Sequence, residues 1–234
     1  MKIEDIENRY SYKLPKLFKT LWNDGMIDWL NGHNGEFKGA ESWENTIYPV
    51  IKDNPPLLLH TGGFDFEMLT QKEMLEWNFD ELWDIDTHKF IPFAKTDEGN
   101  VYAFYKNIEH NGENAIVYIW NDMNETEILA KNFEDFIFRK MLEAVYDVDK
   151  DELNADYSKT GFNGYIEDIL KDLVRVKPYL NKEYFRILEE IYKSNTTIES
   201  SFAYGLLSNE ILVKIIKEHL EFKNLDDIFE HEID

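Results

Sequence analysis

Residues 90–143 read FIPFAKTDEGNVYAFYKNIEHNGENAIVYIWNDMNETEILAKNFEDFIFRKMLE. Three runs in this stretch, FIPFAKT (90–96), VYAFYKN (101–107) and AIVYIWN (115–121), have the aromatic and β-branched content of strands, and EILAK (127–131) is a weaker fourth. They are separated by Asp97-Glu98-Gly99-Asn100, by His110 to Asn114 and by Asp122 to Glu125, all turn-forming sequences. Connections this short join neighbouring antiparallel strands, so an antiparallel meander is predicted. Asn132 then reads as the N-cap of an amphipathic helix, with Asp135 in its first turn and Phe133, Phe136, Ile137, Met141 and Val145 facing inward.

Upstream, LLLH (57–60) and FDFEML (64–69) are strand-like, and Thr70 with Glu73 forms a capping box opening the helix QKEMLEW. Nearer the start, Pro15 sits at a tolerated early position of a helix that puts Leu17, Phe18, Leu21 and Trp22 on one face and stops at Asn23-Asp24-Gly25. Glycines at 32, 35 and 39 and the Pro55-Pro56 pair mark loops around Trp43 to Ile51, which favours neither helix nor strand. Downstream, Asp147 to Asn163 is polar and acidic with no periodic apolar stripe and reads as a linker. Beyond it, Ile166, Ile169, Leu170 and Leu173, then Tyr184, Leu188, Ile191 and Tyr192, then Ile211, Leu212, Ile215 and Ile216 form three helical faces. Helix, sheet, helix is the α+β class. The expected division is a domain at 1–146, an acidic linker at 147–163 and a helical C-terminal extension at 164–234.

The pieces LPKLFKTLWNDG (14–25), FDFEMLTQKEMLEW (64–77), FIPFAKTDEGNVYAFYKN (90–107), AIVYIW (115–120) and KNFEDFIFRKML (131–142), in this order, resemble the SUKH superfamily of Smi/Knr-type cell-wall regulators and bacterial toxin-immunity proteins. The resemblance covers about Leu14 to Val145. It implies one twisted, mainly antiparallel sheet packed against helices, and a role in protein recognition with no catalytic motif to carry over. The glycine-rich stretch sits later than in the family pattern, and the helices from Gly164 onward have no counterpart in it, which leaves their role unassigned.

Composition narrows the chemistry. An aromatic fraction of 15% and a hydrophobic fraction of 43% supply a core, so a folded globule is expected. There is no cysteine, hence no disulfide, thiolate metal site or cysteine nucleophile. The charged start MKIEDIENRYSYK is unlike a signal peptide and the apolar runs are too short to span a bilayer, so the expected location is the cytoplasm. A formal charge of −22 opposes direct nucleic-acid binding and anionic membranes and favours a basic partner.

Motifs for catalysis are missing. The histidines at 33, 60, 88, 110, 219 and 231 have no zinc-ligand spacing, leaving room only for a histidine and carboxylate site assembled from distant segments. Asp147, Asp149 and Asp151 imitate a calcium loop, but Glu152 stands where glycine is needed and Ser158 where a bidentate glutamate belongs. No serine occupies a nucleophile elbow, and Ser208 reads as a helix cap. Gly62-Gly63 lacks the spacing and lysine of a phosphate cradle. Glu189 and Glu190 diverge by about 100 degrees on a helix and cannot act on one bond. The chain is therefore read as a non-enzyme without cofactor or metal.

Asp65 to Asp86 holds eight acidic residues and one lysine among Trp77, Phe79 and Trp83. Aromatics supply buried contact and carboxylates pair with cations of a partner, so Asp65, Glu67, Glu76, Trp77, Asp80, Glu81, Trp83, Asp84 and Asp86 are the candidate partner-binding residues. The competing reading makes the aromatics core and the acids a solvated face. Lys2 to Lys19, with five basic residues against three acidic, suggests that the acidic face lies away from the first helices. The expected partner is a protein, in particular a basic toxin domain whose active surface this chain covers. The alternative is a regulatory scaffold whose C-terminal third recruits something else.

Overall fold

The structure, a computed structural model, describes residues 2–30, 32, 43–63, 65–194 and 196–233. His33, Gly35, Gly39, Phe64 and Asp234, which enter the sequence reading, lie outside them. The meander forms as the apolar runs dictate: β2 (Phe90–Lys95), β3 (Val101–His110), β4 (Glu113–Ile119) and β5 (Thr126–Ala130) are successive antiparallel neighbours. A short β1 (Glu67–Met68) pairs with β2, and a returning β9 (Ile228–Phe229) pairs with β5, giving the order β1-β2-β3-β4-β5-β9. The middle of the sheet, residues 90–94, 101–105 and 115–119, is apolar residue after residue because both of its faces are covered there. Phe93, Tyr102, Phe104 and Ile116 join one cluster of buried residues; Phe90, Val101, Ala103, Tyr105 and Val117 join another.

The first face is closed by helices. These are α1 (Ile3–Arg9), α2 (Lys16–Asn23), α4 (Gln71–Glu76) and α5 (Phe133–Glu143), with α3 (Tyr48–Ile51) following a π-helical turn at Trp43–Ile47. Their ends follow local chemistry. Thr70 and Glu73 close the capping box on α4, Asn132 caps α5 through the Asp135 amide, and Gly25, at φ 73°, takes the left-handed turn after α2. Phe18 meets Phe104 and Phe133 edge to face at 5.4 and 5.2 Å, and all three are fully buried.

Two expectations fail. Leu57 to His60 is a turn, not a strand, with Leu58 at φ 57° and Leu57 and Leu58 fully buried. A short apolar run is equally compatible with a buried turn, and Gly62 allows this one by lying where a Cβ would meet the Phe66 ring and the Leu58 carbonyl. The segment 147–163 is not an unstructured linker. It contains β6 (Val148–Asp149), α6 (Lys150–Asp156) and the start of α7 (Gly161–Val176), and buries Leu153 and Phe162. Asp149, the middle of the supposed calcium triplet, caps α6 by accepting from the Asp151 and Glu152 amides.

α7, α8 (Lys182–Tyr192) and α9 (Asn209–His219) extend the same core, which runs without a break from Ile6 to Leu220. Phenols do much of the docking on α5: Tyr165 donates to the Ala144 carbonyl at 2.8 Å, Tyr192 to that of Met141 at 2.6 Å, and the Tyr184 ring stacks on Phe138 at 4.0 Å. Ser208 caps α9 through the Ile211 amide. β6, β7 (Ile198–Glu199) and β8 (Ala203–Gly205) form a small antiparallel sheet in the order β6-β8-β7, with Gly205 pressed against the Tyr146 carbonyl where no Cβ fits. No helix among the described residues is long and apolar enough to cross a membrane.

Candidate functional site

The nine residues singled out in Asp65 to Asp86 fall into three groups. Asp65 and Glu67 sit at the β1 edge: Asp65 accepts the Asp97 amide, and half-buried Glu67 lies 3.6 Å from Lys95, which Glu73 holds at 2.8 Å. Burial raises the Glu67 carboxyl, and the neighbouring lysine opposes that rise. Trp77 and Trp83 face inward. Trp83 is 5% exposed and belongs to the second core cluster, so its role is packing and not direct contact; Trp77 is half-buried, edge to face with Phe79. The third group is a ledge: Glu76, Asp80, Glu81 and Asp86 are exposed, with Asp84 partly so.

The ledge is tightly turned. Asp80 Oδ1 accepts the Leu82 amide at 2.9 Å, and Asp84 Oδ1 accepts that of Thr87 at 2.9 Å. These Thr87 hydrogen bonds hold the Asp84 carboxyl below its ordinary range, so it stays ionised. With the aromatic rings turned in, the apolar groups facing out between the acids are Leu82, 62% exposed, and Ile85, 49% exposed. Sequence reasoning credited the aromatics and passed over these two aliphatics; an isoleucine and a leucine three apart among acids was the available signal.

The second missed component is the C-terminal tail. Beyond β9 it crosses the outer face of the sheet and pairs with the ledge: the Asp84 amide donates to the His231 carbonyl at 2.7 Å and that of Ile233 to the Leu82 carbonyl at 2.8 Å. Asn124 Oδ1 accepts the His231 and Glu232 amides, both at 2.8 Å. His231 is fully buried, with Nδ1 3.0 Å from Thr126 Oγ1 and its ring 4.7 Å from that of Trp83. Burial, helped by nearby His88, pushes its pKa down to about 4, so it is neutral at neutral pH. The tail thereby adds Glu230, Glu232 and the 64% exposed Ile233 to the rim around Asp84.

The basic N-terminal helices do not lie away from this region. Arg9 Nη2 donates to the Trp77 carbonyl at 2.6 Å and Tyr10 to that of Met74 at 2.7 Å, while Lys13 and Lys19 are spent on buried Glu7. At the far end of the segment, from Asp80 to Asp86, no carboxylate forms an ion pair among the described residues, and the nearby Lys89 Nζ donates to the Ile85 carbonyl at 3.2 Å instead.

A family model described as SMI1 / KNR4 family (SUKH-1) matches residues 2–139. The chain belongs to this family. No curated protein and no solved structure matches it. The SUKH-1 match ends inside α5, so the extension and the tail that completes the ledge both lie beyond it. Among the described residues of this SUKH-1 protein, no group of three or more histidine, aspartate or glutamate side chains is placed to hold a metal.

Proposed function

We propose that this SUKH-1 protein is a non-catalytic, cytoplasmic binding protein that neutralises a basic toxin domain by covering its active surface, in the manner of an immunity protein. The observation carrying this reading is the ledge: Leu82, Ile85 and Ile233 stand exposed within a ring of carboxylates, on a support fixed by Trp83 and the tail. Aliphatic contact at the centre with charge at the rim is the anatomy of a docking patch, and the unpaired acids steer a cationic surface toward it. Family membership supports a role in protein recognition, and a net charge of −22 supports a basic partner. If the toxin is a nuclease, the same carboxylates occupy the path of the phosphates.

The test is co-expression with the toxin encoded beside the gene and affinity measurement at low and high salt. Ile85→Lys with Asp86→Lys is expected to weaken the complex by at least about thirtyfold, as for the loss of one hot spot, with the melting temperature unchanged. Undiminished binding by this double variant would remove the ledge from the interface.

A regulatory scaffold is the second reading, favoured by Phe202, which stands 80% exposed at the turn between β7 and β8 in the extension. Phe202→Ser, and not deletion of 164–234, is the variant that tests it, because Ile169, Leu173 and Leu188 complete the shared core.

A further inference from the structure

A cleft of about 840 Å³ opens on a different side of the molecule, between the family-matched part and the extension. One wall comes from residues 29–97, including Trp29, Tyr48, His60 and Phe66; the other from residues 156–171. Its ionisable lining is one-sided: seven carboxylates, from Glu44, Asp53, Glu67, Asp97, Asp156, Glu167 and Asp168, against Lys52 and Lys171. Lys171 is consumed internally, 2.7 Å from Asp168 and 3.6 Å from Asp53. Asp97, Asp156 and Glu167 are exposed and have no cationic partner among the described residues.

His60 lies in the wall with its side chain 4% exposed. Its Nδ1 is 2.9 Å from Asp172 Oδ1, and Asp172 Oδ2 accepts the His60 amide, the Thr61 amide and the Thr61 hydroxyl at 2.8, 2.7 and 2.9 Å. Among the described residues this is the one histidine and carboxylate pair from distant segments that the fold buries together, 112 residues apart. Asp172, fully buried, ties the 57–63 turn to α7. A carboxylate only accepts, so Nδ1 carries a ring proton, and in the tautomer with that proton alone Nε2 is a lone pair. Nε2 lies on the ring edge away from Asp172, is buried and has no hydrogen-bond partner. An orphaned acceptor at this depth calls for a donor.

Aromatic walls, an excess of carboxylates and an orphaned acceptor ask for the same chemistry. A guanidinium is a planar cation that stacks on aromatic faces, pairs with carboxylates and carries several N–H donors. We propose that the cleft receives an arginine side chain projecting from a basic protein partner, with Nε2 of His60 accepting from its guanidinium and Asp156 and Glu167 at the mouth drawing it in. The proposal rests on the protein-binding reading but concerns a second surface, one that exists only because the extension packs beside the family domain.

The experiment titrates the full chain at low ionic strength with N-acetyl tri-arginine amide, its citrulline counterpart and spermidine, reading affinity by calorimetry for every variant and following the His60 side-chain 15N resonances in the unsubstituted chain. Tri-arginine is expected to saturate and move the Nε2 signal, and citrulline, uncharged, not to bind. Asp156→Asn with Glu167→Gln, both on the surface, should weaken tri-arginine binding about tenfold through loss of two rim charges. His60→Asn keeps a donor for Asp172 while deleting Nε2, and should weaken it about fivefold, as expected for one lost hydrogen bond. Ile85→Lys with Asp86→Lys should leave it unchanged, which separates this cleft from the ledge. No saturation, or indifference to the Asp156 and Glu167 substitutions, overturns the proposal. Equal affinity for spermidine with the same dependence also overturns it, reassigning the cleft to a small polyamine.

Discussion

The two faces of the central sheet are built from alternate residues of the same strands but closed in different ways. The inner face is sealed by helices from residues 16–23 and 133–143, and its aromatics, Phe18, Phe93, Phe104, Phe133 and Phe136, have no exposed surface. The outer face is sealed by an irregular segment, Trp77 to Trp83, and by the tail, which brings Phe229 onto Phe90 and Tyr105 at 6.5 and 5.0 Å and onto His88 at 5.0 Å. One closure is made of long elements; the other hangs on a two-residue strand joined to the sheet from far along the chain. The inner face thus holds the fold and the outer face holds the ledge, and the cheaper closure supports the surface proposed to bind.

The largest effect expected from this contrast is on the inner face. Phe133→Ala should cost about 3–5 kcal/mol in urea denaturation, as large-to-small changes at fully buried aromatics do, and should lower the stability of every element together. Phe229→Ala, at a half-buried position, should cost about 1–2 kcal/mol, and hydrogen exchange should place the loss at the Ile128 and Asp84 amides, which bond to the tail carbonyls of Asp227 and His231. A global loss from Phe229→Ala as large as that from Phe133→Ala would erase the distinction between the faces.

Acid should separate them next. His231 is docked neutral, with its pKa down from 6.5 to about 4 by burial and then by His88. Because the docked ring refuses a proton that the released tail accepts, its contribution is complete above pH 6.5 and declines as pH falls toward 4, by about 1.4 kcal/mol per pH unit. His88, also depressed by burial, loses in the same direction. Protection of the Asp84 amide should therefore fade over this window while inner-face amides stay protected, and His231→Leu should remove most of the dependence. Simultaneous loss on both faces would show that the tail is no separate unit.

What was legible in the sequence was what neighbours in sequence decide. The capping box of Thr70 and Glu73, the caps Asn132 and Ser208 and the four meander strands are short-range patterns, and each forms as read. The ledge acids were also visible as a cluster. The tail was not, because Phe222 and Phe229 sit in an acidic stretch with no periodicity and acquire meaning only against the outer-face cluster, Phe229 on Phe90 and Tyr105 and Phe222 beside His110. The same long-range closure turned Trp83 inward and left Leu82 and Ile85 outside. Leu57 to His60 and the 147–163 segment were misread for a related reason: their leucines and Phe162 are claimed by a core that other segments build.

The smallest expected effect is on the ledge itself, and it sharpens the contrast from the other side. Glu81 and Asp86 are exposed, carry no ion pair among the described residues and stand among like charges. A residue kept for packing or pairing costs stability when neutralised; a residue kept for a partner does not. Glu81→Gln with Asp86→Asn should change the unfolding free energy by less than about 0.5 kcal/mol, with the sign toward stabilisation at low salt as repulsion is relieved, and less so at high salt. A clear destabilisation would mean that these carboxylates serve the fold, and the ledge would lose its claim to be a surface maintained for binding.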